Sequence, residues 1–509
     1  MTLVGSRSKK SLLNAITAMA MTLVNGLLGI VVTRFVLARF GSDFNGLNST
    51  ANQIVNVLLI LEGGFTMASN VALFAPLTQG DYPTVNGVLG ATRRKFGRIG
   101  AIFLGAGAVI AVVYGLVANS GLSFEFVTTL ILMTVVPAAF NLFYATTYRV
   151  LLQTEQKEYV INIITTLTIG GGHIANIVMV YMGGPMWAVR FNTMVFALFN
   201  SLLIAWYVKR RAPFLNFSVP QRPELIKGTG DVMAQRITGV IYNSAPIVFL
   251  SISPTGGTAL ASVYAVYNNV FIMVKSLLHS FIDAPRLSFG QMLTERKRDE
   301  VWPVYAQYEY LAFFATFLLV TTCGALILPF ISLYTGDLAD AVNYYDLWIA
   351  LFMIAIAALE MIHIPSGHLI NMAGHFRVSR NIQVSSCAVL VVTMSVGGIL
   401  WGIYGMLAAI LLCAVLLCVT EMGYVHVKFF EGKLLSLFRL LAPFILTGTV
   451  LCYFEMKLPL HFDNYLWFIV YGVGFAAVNG VAGLLVGLLF NRKELLPLIG
   501  RAVRLLKRK

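Results

Sequence analysis

The chain alternates between apolar stretches of membrane-crossing length and short polar loops, about fourteen times over 509 residues. A span needs roughly 20 largely apolar residues. Such segments are expected at residues 11–35, 47–77, 96–117, 124–148, 159–182 and 187–208. A second group is expected at 225–251, 260–285, 303–330, 344–372, 378–400 and 403–426, and a last pair at 435–454 and 466–490. Lipid offers the backbone no hydrogen-bond partner, so only helices and closed barrels cross it, and stretches this long select helices. Charged residues make up 11% of the chain, against about 25% in a soluble domain. The expected fold is an all-α integral membrane protein.

Loop charge gives an orientation. Basic residues fall in alternate loops: Arg93-Arg94-Lys95 with Arg98, Lys157, Lys209-Arg210-Arg211 with Arg222 and Lys227, Arg296-Lys297-Arg298, Arg377 with Arg380, and Lys428 with Lys433 and Arg439. The opposite loops at 118–125, 252–258 and 336–343 carry no lysine or arginine. The exceptions on that side are Arg34, Arg39, Arg190 and Lys457. By the positive-inside rule both termini are expected in the cytoplasm of a multi-pass protein. The net charge of +14 is therefore read as topology and attraction to anionic lipid headgroups, with no nucleic-acid partner. Arg7, Lys9 and Lys10 precede an apolar run that continues through Val32, so this stretch reads as an uncleaved first span rather than a signal peptide.

The longest polar interruption, 209–224, holds Pro213, Pro220 and Pro223 and reads as a cytoplasmic linker. It would join an N-terminal six-helix lobe at 1–208 to a second at 225–426. An additional helix pair at 427–490 and a basic cytoplasmic tail at 491–509 follow. The tail alternates leucines with seven basic residues, the pattern of a surface-lying amphipathic helix. Two lobes of equal span number imply a parallel repeat about an axis along the membrane normal, with cargo between them.

The chain has no phosphate-binding G-x-x-x-x-G-K-[ST] motif and no loop long enough to fold as a catalytic module, so it does not read as an enzyme. Cys323, Cys387, Cys413, Cys418 and Cys452 lie in apolar segments without metal or disulfide spacing. Glu360-x-x-His363, with His368 nearby, is the one composite resembling a metal site. His368 sits roughly 140° around the helix from His363, which favours polar groups lining a helix break at Pro365. No cofactor or metal is expected.

Ionisable groups at membrane depth face a protein interior or a wet cavity. Arg34 and Arg39 end the first span. Glu62 lies within the second, after Asn52, Gln53 and Asn56. Arg236 follows Asp231 in the seventh, and Lys275 lies deep in the eighth, where snorkelling does not explain it. Cations outnumber carboxylates in this set, which suits an anionic cargo, with phosphate the usual ligand. The candidate substrate-binding residues are Arg34, Arg39, Asn52, Gln53, Glu62, Arg236 and Lys275.

Three stretches carry a resemblance. They are Gly41-Ser42-Asp43-Phe44-Asn45-Gly46-Leu47-Asn48, a small-residue polar turn; Leu58-Leu59-Ile60-Leu61-Glu62-Gly63-Gly64-Phe65; and Leu73-Phe74-Ala75-Pro76-Leu77. With Val263-Tyr264-Ala265-Val266-Tyr267-Asn268-Asn269 and Met372-Ala373-Gly374-His375-Phe376-Arg377, they make the chain similar to bacterial polysaccharide transporters. These are the O-antigen, capsule and teichoic-type flippases of the multidrug/oligosaccharidyl-lipid/polysaccharide (MOP) exporter superfamily. The resemblance implies about 14 transmembrane helices in two pseudo-symmetric lobes of a MATE-like, V-shaped fold. It implies a flippase moving polyprenyl-diphosphate-linked oligosaccharide from the inner to the outer leaflet of a bacterial cytoplasmic membrane by alternating access. Its partners would be the lipid-linked glycan, membrane lipids, and a glycan polymerase and glycosyltransferases of the same pathway. Where relatives carry an aspartate in the seventh segment, this chain has Ser244-Ala245-Pro246. The alternative is a cation-coupled multidrug or small-molecule exporter of the same superfamily.

Overall fold

The computed structural model describes residues 2–62, 64–226, 230–336, 338 and 342–507, and the side chains of these except at 2–12, 15, 230–232, 280, 281, 283–288, 290, 291, 294 and 501–507. Lys227 lies outside the described residues, as do the side chains of Arg7, Lys9, Lys10, Asp231 and Pro285. The chain packs as two compact units, one of Met1–Ala265 with Leu338–Val342 and one of Val266–Asp337 with Asn343–Lys509.

In the first unit the helices are α1 (Thr2–Leu58), α2 (Phe65–Gln79), α3 (Tyr82–Val117), α4 (Phe124–Phe140), α5 (Thr146–Thr154), α6 (Glu158–Tyr181), α7 (Met186–Arg211), α8 (Gly230–Ile252) and the start of α9 (Thr258–Glu295). The second unit takes the rest of α9, then α10 (Arg298–Thr335), α11 (Leu347–Ile362), α12 (Ile364–Met372), α13 (Phe376–Gly423), α14 (Leu434–Met456), α15 (Tyr465–Phe490) and α16 (Arg492–Lys507). Among the described residues there is no strand.

Eleven helical stretches among the described residues are long and apolar enough to cross a membrane. Two of them each hold a pair of the expected spans. The 57 residues of α1 would run about 85 Å as one rod, far beyond a hydrocarbon core of roughly 30 Å. Gly41, at φ 79° and ψ −179°, divides it. In α13 the division is Gly402, at φ 58° and ψ −135°. A Cβ built on Gly405 would lie 1.9 Å from the Gly397 carbonyl oxygen, whereas a straight helix separates such residues by about 12 Å. The chain doubles back there, between the two spans expected at 378–400 and 403–426. The remaining expected span, at 225–251, is α8, whose Gln235, Arg236 and Asn243 keep it out of the apolar set. The expected span at 47–77 is interrupted: α1 stops at Leu58, a 3₁₀ turn covers Leu59–Glu62, and Gly64 at φ 73° opens α2.

Each unit has its own core. In the first, Phe44, Leu47, Phe96, Phe103 and Ile131 are fully buried. In the second, Tyr305 lies among Trp302, Phe289 and Phe430. Phe444 of α14 meets Tyr310 and Phe317 of α10, and Gly483 of α15 leaves room for Phe314 and Phe317. α16 is tied down by Leu495, which is buried, and by an Arg439–Glu494 ion pair.

The proline-rich segment after α7 packs onto the start of α3. Asn86 donates to the Phe214 carbonyl at 2.8 Å, the Tyr82 ring packs tilted against Phe214, the Arg222 N–H donates to the Gly87 carbonyl at 3.1 Å, and Arg222 Nη1 donates to Thr84 at 2.9 Å. Asp81 caps α3 by accepting from the Thr84 N–H at 3.1 Å. Hydrogen bonding to Thr84 holds its carboxyl below the usual carboxylate value, so this contribution to stability is present at neutral pH and lost as pH falls through that lowered value. A Cβ on Gly87 would lie 2.9 Å from the Pro220 carbonyl oxygen. Gly87→Val is therefore expected to lift the segment and speed trypsin cleavage after Arg211, where the helix ends and the packed segment begins; an unchanged cleavage rate would contradict this packing.

Candidate functional site

On α1 beyond Gly41, Asn48, Asn52 and Asn56 recur every four residues and so share a face. Opposite them stands Arg190 of α7, 5% exposed. Its Nη1 donates to Asn48 Oδ1 at 2.9 Å, Nη2 to Asn52 Oδ1 at 2.8 Å, and Nε and Nη2 to Thr134 Oγ1 at 2.8 and 2.6 Å. All these acceptors are neutral. A guanidinium stays charged, so its hydrogen bonds are satisfied while its charge is not cancelled. Arg149 of α5 also meets a neutral acceptor, though its buried Nε has no partner: Nη2 donates to Asn200 Oδ1 at 2.6 Å, and Asn200 Nδ2 donates to Thr168 Oγ1 at 2.7 Å.

Glu62 closes the 3₁₀ turn ahead of Gly64. It accepts from Thr66, and its other oxygen lies 3.5 Å from Arg236 Nη2 of α8. The Arg236 side chain is 43% exposed and that of Glu62 14%, which makes this a loose pair worth under about 1 kcal/mol. Gln53 accepts from Asn56 at 3.0 Å and from Ser244 at 2.9 Å. The Ser244-Ala245-Pro246 segment of α8 is thereby held to α1.

The Asp43–Asn48 stretch, expected to be a polar turn, is helical, and the bend is confined to Gly41. Its polar side chains are there to grip another helix. Thr258 Oγ1 donates to Asp43 at 2.5 Å and Asn45 donates to Ser262 Oγ at 2.7 Å. A Cβ on Gly46 would lie 1.6 Å from the Thr258 carbonyl oxygen, so α1 and the start of α9 touch backbone to backbone. The Thr258 N–H donates to the Asn119 carbonyl at 2.9 Å, and Tyr114 donates to Ser251 at 2.8 Å. These bonds form a latch joining α1, the α3–α4 connection, α8 and α9.

In the second unit Lys275 Nζ lies 2.7 Å from Glu360. The lysine read as an anion-binding group therefore already has a carboxylate partner. His363 Nδ1 lies 2.9 Å from Glu421 and His426 Nε2 lies 3.0 Å from Glu309, while His368 Nδ1 lies 2.9 Å from the Tyr308 hydroxyl. Glu360, His363 and His368 thus take three different partners. Among the described residues no group of three or more His, Cys, Asp or Glu is placed to hold a metal ion. Arg34 is half-buried on α1. Arg39 is exposed, its Nη2 about 4 Å from where a Cβ on Gly183 would stand.

Arg190, Arg149 and the Glu309–His426 pair were not among the candidate residues. Arg190 resembled a loop charge because it lies four residues into α7, and the signal that marks it is the Asn48-x-x-x-Asn52 repeat. The other two depend on tertiary pairing with no local signature.

Among solved structures, the chain is similar to lipid II flippase MurJ in an inward closed conformation: TM-score 0.65, 13% identity, 92% of this chain and 97% of that one. It is also similar to a multidrug resistance MATE family transporter of the MOP superfamily in inward-facing form (TM-score 0.62, 13% identity, 88% of this chain and 100% of that one). The outward-facing form of a MATE family transporter of that superfamily gives a TM-score of 0.54 at 12% identity over 87% and 96%. No protein-family model matches the sequence, and no curated protein matches it. The fold is the all-α membrane fold of these transporters.

Proposed function

We propose that the chain is a flippase that carries a polyprenyl-diphosphate-linked oligosaccharide from the inner to the outer leaflet of a bacterial cytoplasmic membrane, for cell-surface polysaccharide synthesis. Both termini would be cytoplasmic, and a glycan polymerase and glycosyltransferases would work alongside it. The observation that carries this reading is the charge balance inside the spans. Glu62 and Glu360 are paired with Arg236 and Lys275, Glu421 and Glu309 with the titratable His363 and His426, and the buried Glu455 takes the neutral amide of Asn479. Arg190 and Arg149 are held by neutral amides and hydroxyls. The excess is cationic, which suits a diphosphate and disfavours a cationic drug.

Arg236 is the group best placed to exchange partners, because its pair with Glu62 is long and exposed and a phosphate oxygen replaces the carboxylate at little cost. Arg34 and Arg39 add charge along α1, and Asn52 and Gln53 offer amide hydrogen bonds; Lys275, in the second unit, is a separate candidate cation that becomes available when Glu360 releases it. Arg34→Ala and Lys275→Ala are each expected to abolish surface glycan at unchanged protein level. Normal output in both would sink the charge-clamp reading. The likeness to a MATE fold supports the second reading, drug export, which predicts efflux of cationic dyes from expressing cells.

A further inference from the structure

Helices α10 to α13, with the π turn Tyr424–Phe429 that follows α13, hold two histidine–glutamate pairs that differ in burial. His426 Nδ1 is 2.9 Å from the Met422 carbonyl oxygen, which only accepts, so Nδ1 carries a proton. Nε2, 3.0 Å from Glu309, shares a second proton with that carboxylate. Both side chains are 0% exposed, and Tyr305 closes the network through Glu309 and Ser366. That proton has no open route and serves structure.

The His363–Glu421 pair is built otherwise. Glu421 is 2% exposed and His363 17%, so this pair is the less enclosed of the two. With Nδ1 donating to Glu421, the ring takes a further proton at Nε2. Beside it Lys275 and Glu360 cancel each other at 2.7 Å. The four groups therefore carry one negative charge when His363 is neutral and none when it is protonated. Away from water a net charge is costly, so proton uptake changes the energy of this cluster strongly. Its other titratable neighbours are Tyr305, Glu309 and Tyr308 on α10, with Tyr308 bonded to His368 of α12, Cys413 and Cys418 on α13, and His279 one turn beyond Lys275 on α9.

The position adds a mechanical consequence. His363 is the residue between α11 and α12. Pro365 cannot donate to the Met361 carbonyl, so the junction is weakened. Gly367 lets α12 approach α13 closely: a Cβ there would lie 2.9 Å from Glu421 Oε2. Attraction between an imidazolium and Glu421 pulls this junction onto α13, and loss of the proton releases it.

We propose that His363 and Glu421 form a proton-binding site that couples transport to proton movement, taking up a proton at His363 Nε2 from one side of the membrane and releasing it to the other as the α11–α12 junction moves. This rests on the transporter reading, but its readout needs no cargo. Full-length protein in phosphatidylethanolamine–phosphatidylglycerol proteoliposomes on a solid-supported membrane is given an acid jump. The wild type is expected to show a charge displacement that is lost in Glu421→Gln and His363→Gln and kept in His461→Gln, an exposed loop histidine. Glu421→Gln keeps the shape and one hydrogen bond, and fluorescence-detected size exclusion reports whether each variant is folded. The absence of a transient in the wild type overturns the proposal without any variant. So does a transient of full size in Glu421→Gln and His363→Gln, or equal loss in His461→Gln. Those results leave the flippase reading standing, whereas unchanged lipid-linked sugars in depleted cells remove the cargo and not the proton site.

Discussion

A Gly46→Val variant is expected to lose about 3 kcal/mol of stability, the upper part of the usual range for overpacking a filled contact. The built Cβ sits 1.6 Å from the Thr258 carbonyl oxygen, 2.6 Å from its carbon and 3.0 Å from the Ser262 nitrogen. All three are backbone atoms, so no side chain can turn aside, and α1 must move away from α9. That motion stretches the Asp43–Thr258 and Asn45–Ser262 bonds, each worth about 1 kcal/mol or more. Gly29→Ala is the control, because a Cβ there meets nothing within 4 Å and alanine favours a helix. Thermal unfolding in detergent is expected to show a large drop for the first and none for the second. Equal melting would remove the latch.

Arg190→Met is expected to separate stability from transport. Burying a guanidinium without a counter-charge costs several kcal/mol, and hydrogen bonds from a charged donor return roughly 1.5–3 kcal/mol each. With four such bonds the two sides nearly cancel, so the melting temperature should change little. Asn52 is exposed and Asn48 half-buried, which lets both amides find other partners. Transport should fall more than tenfold, about 1.4 kcal/mol, because the variant removes a buried charge whose hydrogen-bond partners are all neutral. A large fall in melting with transport per folded molecule unchanged would make Arg190 a structural group.

Much of the architecture was legible in the sequence because span length and the cost of lipid-exposed backbone leave few alternatives. The turn between 400 and 403 was found at Gly402, where two expected spans merge into one helix with a sharp reversal. The same reasoning misread Asp43–Asn48 as a turn, since polar residues in a helix look like a loop until the partner helix that binds them is known. Pairing was the least legible feature. Lys275 meets Glu360 from 85 residues away, and no local pattern announces a contact at that separation. Arg190 was hidden for a related reason: its neutral acceptors come from α1 and α4, so the charge looked superficial when counted along the chain.

The central claim, outward movement of a lipid-linked oligosaccharide, is tested most directly by depleting the protein from its host and extracting polyprenyl-linked sugars, with leaflet position read by access to a membrane-impermeant glycan probe. The account predicts accumulation of one defined diphosphate-linked species, shielded on the cytoplasmic leaflet and released to the outer leaflet when the wild-type chain is restored. Unchanged lipid-linked sugars, together with intracellular retention of cationic dyes, would contradict it and assign the chain to drug export.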